Sequence, residues 1–68
     1  MESVYKIIEI VGTSEKSWED ATKKALETAS KSIQDIRVAE VKKLDIKINE
    51  DGSKVFRVRL NVSFKYRG

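Results

Sequence analysis

The chain has 68 residues, with 14 basic and 11 acidic side chains, a net charge of +3, and neither Cys nor His. That length holds one domain with a small core, and the composition excludes disulfides, thiolate or imidazole metal sites and any His-assisted nucleophile. No signal-peptide pattern opens the chain and no apolar run approaches the ~20 residues of a membrane span, so a cytoplasmic protein without a membrane partner is expected.

Val4–Val11, VYKIIEIV, is rich in β-branched residues and predicts a first strand. Val4, Ile8 and Ile10 are expected to point at a covering helix, with Tyr5, Ile7, Glu9 and Val11 on the opposite face. Gly12-Thr13-Ser14 predicts the turn that follows, Thr13 and Ser14 serving as turn hydroxyls.

Ser17–Ile36 is the one run long enough for a multi-turn helix. Trp18, Ala21, Ala25, Ala29, Ile33 and Ile36 recur at steps of three or four and form one apolar stripe. Its small residues let a sheet approach closely, and Trp18 reads as a buried anchor. Ser17 is the expected N-cap, with Asp20 reaching back to complete a capping box. Glu19 and Asp20 lie near the positive end of the helix dipole and Lys31 near the negative end.

Arg37–Ile48 predicts a long second strand. Ala39 and Val41 share one phase and Leu44, Ile46 and Ile48 the other, so a β-bulge is expected at Lys42-Lys43. Asn49–Ser53, NEDGS, predicts a hairpin loop around Asp-Gly. Val55–Tyr66 alternates without interruption. Phe56, Val58, Leu60, Val62, Phe64 and Tyr66 fall on one side, and Arg57, Arg59, Asn61 and Ser63 on the other.

These elements predict an α+β fold, β-α-β-β, as one domain over residues 1–68. A right-handed crossover makes the first two strands parallel, and seating the third between them gives an antiparallel sheet of order 1-3-2 under one helix. The far face, bearing Val38, Glu40, Arg57, Arg59, Asn61 and Ser63, then has no cover within the chain, and the long strands outreach the helix. Both features predict an oligomer, the remaining support for so small a core.

VYKIIEIVGTS leading into SWEDA, then ALETASKSI, IRVAEV and FRVRLNVSFKY together resemble the dodecin family, over Val4 to Tyr66. The resemblance implies a hollow homododecamer of tetrahedral symmetry that stores flavins (riboflavin, lumichrome or FMN) in pairs at subunit interfaces and is not an enzyme. It also implies departures. Flavin-binding members carry a stacking Trp immediately before the AEV-type motif, where this chain has Val38. They carry a Gln on the outward face of the last strand, where this chain has Arg57. Base-on-aromatic stacking contributes ~1–3 kcal/mol, and Val offers no π-face, so the resemblance implies an altered and weakened flavin site.

Val38, Glu40, Arg57 and Arg59 are therefore the candidate ligand-binding residues. Arg57 and Arg59 read either as surface charges pairing with Glu40 or Glu9, or as holders of a phosphate of FMN or coenzyme A. Some relatives without the Trp are associated with calcium, which implies a calcium-binding or purely structural dodecamer as the alternative. Glu15, Glu19, Asp20, Glu40 and Asp45 could then contribute oxygens around a symmetry axis, with no ranking among them. A nucleic-acid partner using Arg57, Arg59, Lys65 and Arg67 is disfavoured, because no exposed aromatics interleave with those cations. No nucleophile–base pair argues for an enzyme.

Overall fold

The computed structural model describes residues 3–67. Four elements follow in chain order: β1 (Tyr5–Ser14), α1 (Trp18–Ser30), β2 (Ile36–Ile48) and β3 (Lys54–Lys65). The sheet order is β1-β3-β2 and both pairings are antiparallel, as the topology argument predicted. β3 takes the centre because it alternates most cleanly. Its inward residues Val58, Leu60 and Val62 are fully buried and form the core with Ala21. Ile8 and Ile10 of β1, Ala25 and Leu26 of α1, and Ile36 and Ala39 of β2 pack around them.

The helix is shorter than its apolar period predicted, ending at Ser30 instead of Ile36. Ser30 and Ser32 add little helix propensity. The N–H groups of Ser32 and Ile33 still bond to the Ala29 carbonyl, and the chain then turns through Asp35 at φ 62. Ile36 keeps its place in the core as the first residue of β2, opposite Phe64. The capping box is half formed. Ser17 Oγ accepts from Asp20 N–H, but the Asp20 carboxylate turns to the Ser14 hydroxyl at 2.6 Å and the Lys24 ammonium at 3.0 Å.

Gly12-Thr13-Ser14 is strand, not turn: β1 runs on to Ser14, opposite Phe56. The glycine serves packing instead. A Cβ at Gly12 would lie 2.5 Å from the Ala21 carbonyl oxygen and 2.8 Å from the Ala25 Cβ. The small stripe of α1 therefore meets a strand with no side chain at the crossing point. Val4, expected to face the helix, precedes β1 and is exposed, its carbonyl accepting from Tyr66 N–H. Tyr66 lies just past β3, with the Lys6 ammonium 5.3 Å from its ring centroid.

The hairpin loop takes the expected form. Asn49 N–H bonds to Ser53 O, and Gly52 sits at φ 88. The bulge expected at Lys42-Lys43 is present as a register shift between Val41 and Lys43, and a second shift lies between Ile36 and Val38.

A helix of 13 residues spans about 20 Å and a strand of the same length about 44 Å. The helix packs on β1 and β3 and covers little of β2. Leu44 and Ile48, on the same side of the sheet as the helix, consequently remain 47% and 68% exposed. The protomer is correspondingly elongated, 52 × 20 × 16 Å.

Candidate functional site

On the sheet face away from α1, the register lays side chains out in rows that cross all three strands. The first row is Thr13, Arg57 and Asp45, and the second is Val11, Arg59 and Lys43. Glu9, Asn61 and Glu40 make the third, and Ile7, Ser63 and Val38 the fourth. One end of the face is thus cationic, the middle holds two carboxylates flanking an amide, and the other end has a small apolar floor. Val38 is 58% exposed there, since nothing among the described residues covers it.

The bulge at Lys42 decides this composition. One inserted residue inverts the alternation that follows. Without it, Lys43 and Asp45 would face the helix, and Lys42, Leu44 and Ile46 would follow Val38 and Glu40 on the outward side. With it, Asp45 comes opposite Arg57. The Asp45 carboxylate accepts from Arg57 Nε at 2.6 Å and from Nη2 at 2.8 Å, a bidentate pair. The hydrogen bond from Arg57 holds the Asp45 carboxyl below the usual carboxylate range, and Asp45 in turn raises Arg57. Arg59 is held more loosely, 3.9 Å from Glu9.

Asp45 is also tied to the helix. Its backbone carbonyl accepts from the Trp18 indole N–H at 3.1 Å, while the indole stands edge-on to Phe56 at 5.4 Å between centroids. Trp18 is half-buried, an anchor that fastens the N-terminus of α1 to β2. A shallow hollow of about 60 Å³ lies among Lys43, Asp45, Arg57 and Arg59, floored by Val11 and Val58.

Residues 4–67 match the family model described as Dodecin. The chain belongs to the dodecin family. It is 48% identical over 65 residues to the calcium dodecin of Mycobacterium tuberculosis, covering 96% of this chain and 92% of that protein. The crystal structure of that relative, described as a calcium-chelating immunodominant antigen with a novel calcium-binding site, superposes with a TM-score of 0.89 over 96% of this chain and 93% of that one. The dodecin of Thermus thermophilus is 42% identical over 65 residues, 96% of this chain and 94% of that protein. The dodecin of Streptomyces davaonensis, at 22% identity and a TM-score of 0.91 over the full length of both chains, shares the fold.

Within this family frame, the structure brings the four candidate residues Val38, Glu40, Arg57 and Arg59 onto one face, spread over all four rows. One of the expected pairings differs. Arg59 does approach Glu9, but Arg57 pairs with Asp45 and not with Glu40, because Glu40 lies opposite Asn61. The acidic candidates for calcium do not converge within the protomer. Asp20 is engaged with Ser14 and Lys24, Asp45 with Arg57, and Glu15 and Glu19 are exposed on and before the first turn of α1. Among the described residues, no three acidic side chains cluster as a metal site. Lys43 belongs to the face and escaped the sequence reading. The signal was the bulge itself, which transfers both Lys43 and Asp45 to the outward side.

A second polar centre also escaped it. Asp35, in the connection between α1 and β2, accepts from Arg67 Nη2 at 2.6 Å and Nε at 3.1 Å, while its backbone carbonyl accepts from Lys65 N–H. The Arg67 hydrogen bond holds its carboxyl below the usual range. The sequence holds no local signal for a pair 32 residues apart, although Asp is one of the few non-glycine residues that tolerate the positive φ found at Asp35.

Proposed function

We propose that twelve copies of this chain close into a hollow shell that binds and stores a small ligand, with no catalytic step. The outward sheet face then meets its counterpart on a neighbouring copy, and the ligand lies between them. The observation that carries this reading is the pair Ile7 and Val38, exposed on either side of Ser63 on a face that nothing among the described residues covers, in a chain of the dodecin family. A flat ring system such as a flavin (riboflavin or FMN) fits an apolar floor bordered by the acceptors Glu9, Asn61 and Glu40. With Val38 in place of an aromatic, the floor gives dispersion contact but no stacking, so flavin is held weakly.

Light scattering tests the shell, with a particle of about twelve times the 7.8 kDa chain mass as the expected result and a stable monomer or dimer as the contrary one. Flavin fluorescence quenching tests the ligand. Val38→Trp should raise affinity by about tenfold or more, following the ~1–3 kcal/mol of a stacked ring. No gain from that substitution would remove Val38 from the site.

Calcium binding is the second reading, favoured by the 48% identical relative named calcium dodecin. Because the acidic side chains of the described residues do not converge within one protomer, such a site would gather carboxylates from several copies around an axis. Calorimetric titration of the chelator-treated assembly with calcium distinguishes it from the flavin reading.

A further inference from the structure

We infer that the Asp51-Gly52 peptide is a latent isoaspartate-forming site, that the Ser53 hydroxyl holds it shut, and that its opening would disturb the β2–β3 register. The chemistry is general to Asp-Gly. The Gly52 backbone nitrogen attacks Cγ of the protonated Asp51 carboxyl. Its N–H proton and the carboxyl hydroxyl leave together as water, and a five-membered succinimide closes. Water then opens the ring at either carbonyl. Attack at Cγ restores aspartate, whereas attack at the Asp51 main-chain carbonyl carbon leaves Gly52 joined through Cγ. Glycine favours ring closure because no side chain shields its nitrogen. A Cβ at Gly52 would meet nothing within 4 Å, and both residues are exposed in the hairpin loop.

Hydrogen bonds within the loop oppose the attack. Asp51 Oδ1 accepts from the Ser53 hydroxyl at 2.6 Å and from the Ser53 N–H at 2.9 Å, so the carboxyl must leave both to present its face to the Gly52 nitrogen. The Asn49 side-chain amide donates to the Ser53 hydroxyl oxygen at 2.9 Å and so aims that hydroxyl at Asp51. The attacking group is tied as well, since the Gly52 N–H donates to the Asn49 carbonyl at 2.9 Å. The Ser53 hydroxyl also leads the causes that hold the Asp51 carboxyl below its usual range, leaving less of the protonated form that loses water. Isomerisation would put the Asp51 Cβ into the main chain, one atom more in a loop closed by Asn49 N–H on the Ser53 carbonyl. Hairpin register follows loop length, so the adjoining rungs, Ile48 on Lys54 and Lys47 on Val55, would be displaced, and with them the Asp45–Arg57 pair.

Prolonged incubation of the purified protein in warm, mildly acidic buffer tests this, with isoaspartate counted by enzymatic methylation and located by fragmentation mass spectrometry. Asp51 should isomerise about tenfold or more slowly in the folded protein than in the same chain unfolded in guanidinium chloride. Ser53→Ala should raise the folded rate several-fold, and Ser53→Thr, which keeps a hydroxyl, should leave it low. Val58→Ala, which weakens the core without touching the loop, should also leave it low, separating loss of the latch from loss of the fold. The isomerised fraction should melt below the unmodified one. Equal rates in the folded and unfolded chain would overturn the protection. A folded rate unmoved by Ser53→Ala, or raised as much by Val58→Ala, would overturn the assignment to the Ser53 hydroxyl. Absence of isoaspartate at residue 51 in the unfolded chain would overturn the site itself, and an unchanged melting temperature its effect on the register.

Discussion

Asp45 grips Arg57 across the β2–β3 pair through two bonds of 2.6 and 2.8 Å, while its own backbone carbonyl receives the Trp18 indole N–H. One residue thus joins the helix to the outward face of the sheet. Because Arg57 is the main cause of the lowered Asp45 titration, Arg57→Ala should raise the Asp45 midpoint towards the ordinary aspartate range, measured by carboxyl NMR titration. An unchanged midpoint would mean that Asp45 draws its stabilisation from elsewhere.

Trp18 gives a second test of that junction. Trp18→Phe keeps a ring against Phe56 while removing the bond to the Asp45 carbonyl and the smaller part of the indole. The loss should be about 0.5–1.5 kcal/mol, seen as a lowered denaturant midpoint at fixed protein concentration. A much larger loss would show that indole packing, not the hydrogen bond, fastens the helix.

Gly12→Ala should destabilise the protein by about 1–3 kcal/mol, because the added methyl falls on the Ala21 carbonyl and the Ala25 Cβ. The cost comes from crowding and not from backbone strain. Thermal unfolding at constant concentration checks it, and a neutral result would mean that α1 can lift from β1 without penalty.

Acid stability follows from four aspartates. Asp20, Asp35, Asp45 and Asp51 are all held below their ordinary titration range, led by hydrogen bonds from Ser14, Arg67, Arg57 and Ser53 respectively. Lowered folded-state values mean that the unfolded chain takes up protons first as pH falls. The stabilisation is therefore complete above about pH 4 and is lost as pH drops through the folded-state values. Asp35→Asn preserves tolerance of the positive φ but removes one such carboxylate, so the melting temperature should fall less steeply between about pH 4 and pH 2. An unaltered slope would exclude the Asp35–Arg67 pair as a contributor.

Most of the fold is legible in the sequence because it follows from local periodicity. The unbroken alternation of Phe56, Val58, Leu60, Val62 and Phe64 marks a central strand, and the structure places it between β1 and β2. The phase change at Lys42 marks the bulge, and Asp51-Gly52 marks the hairpin. The same periodicity misled where one pattern suited two structures. Ile33 and Ile36 continue the helical stripe, yet Ile36 reaches the core from a strand. Gly12 resembles a turn residue, yet its missing side chain lets the helix sit down on β1.

The sequence by itself determined which side chains share a face, since alternation and a single inserted residue settle inward from outward. It therefore put Val38, Glu40, Arg57 and Arg59 together on the uncovered side. Only the tertiary structure decided who meets whom on that face. Arg57 could have taken Glu40 or Glu9 by charge alone, and it takes Asp45 because the hairpin register and the bulge place Asp45 directly opposite. Ion pairs are short-ranged and non-local. A slip of two residues changes every partner while leaving the pattern of faces intact, so the pairing can be read only once the strands have been set against one another.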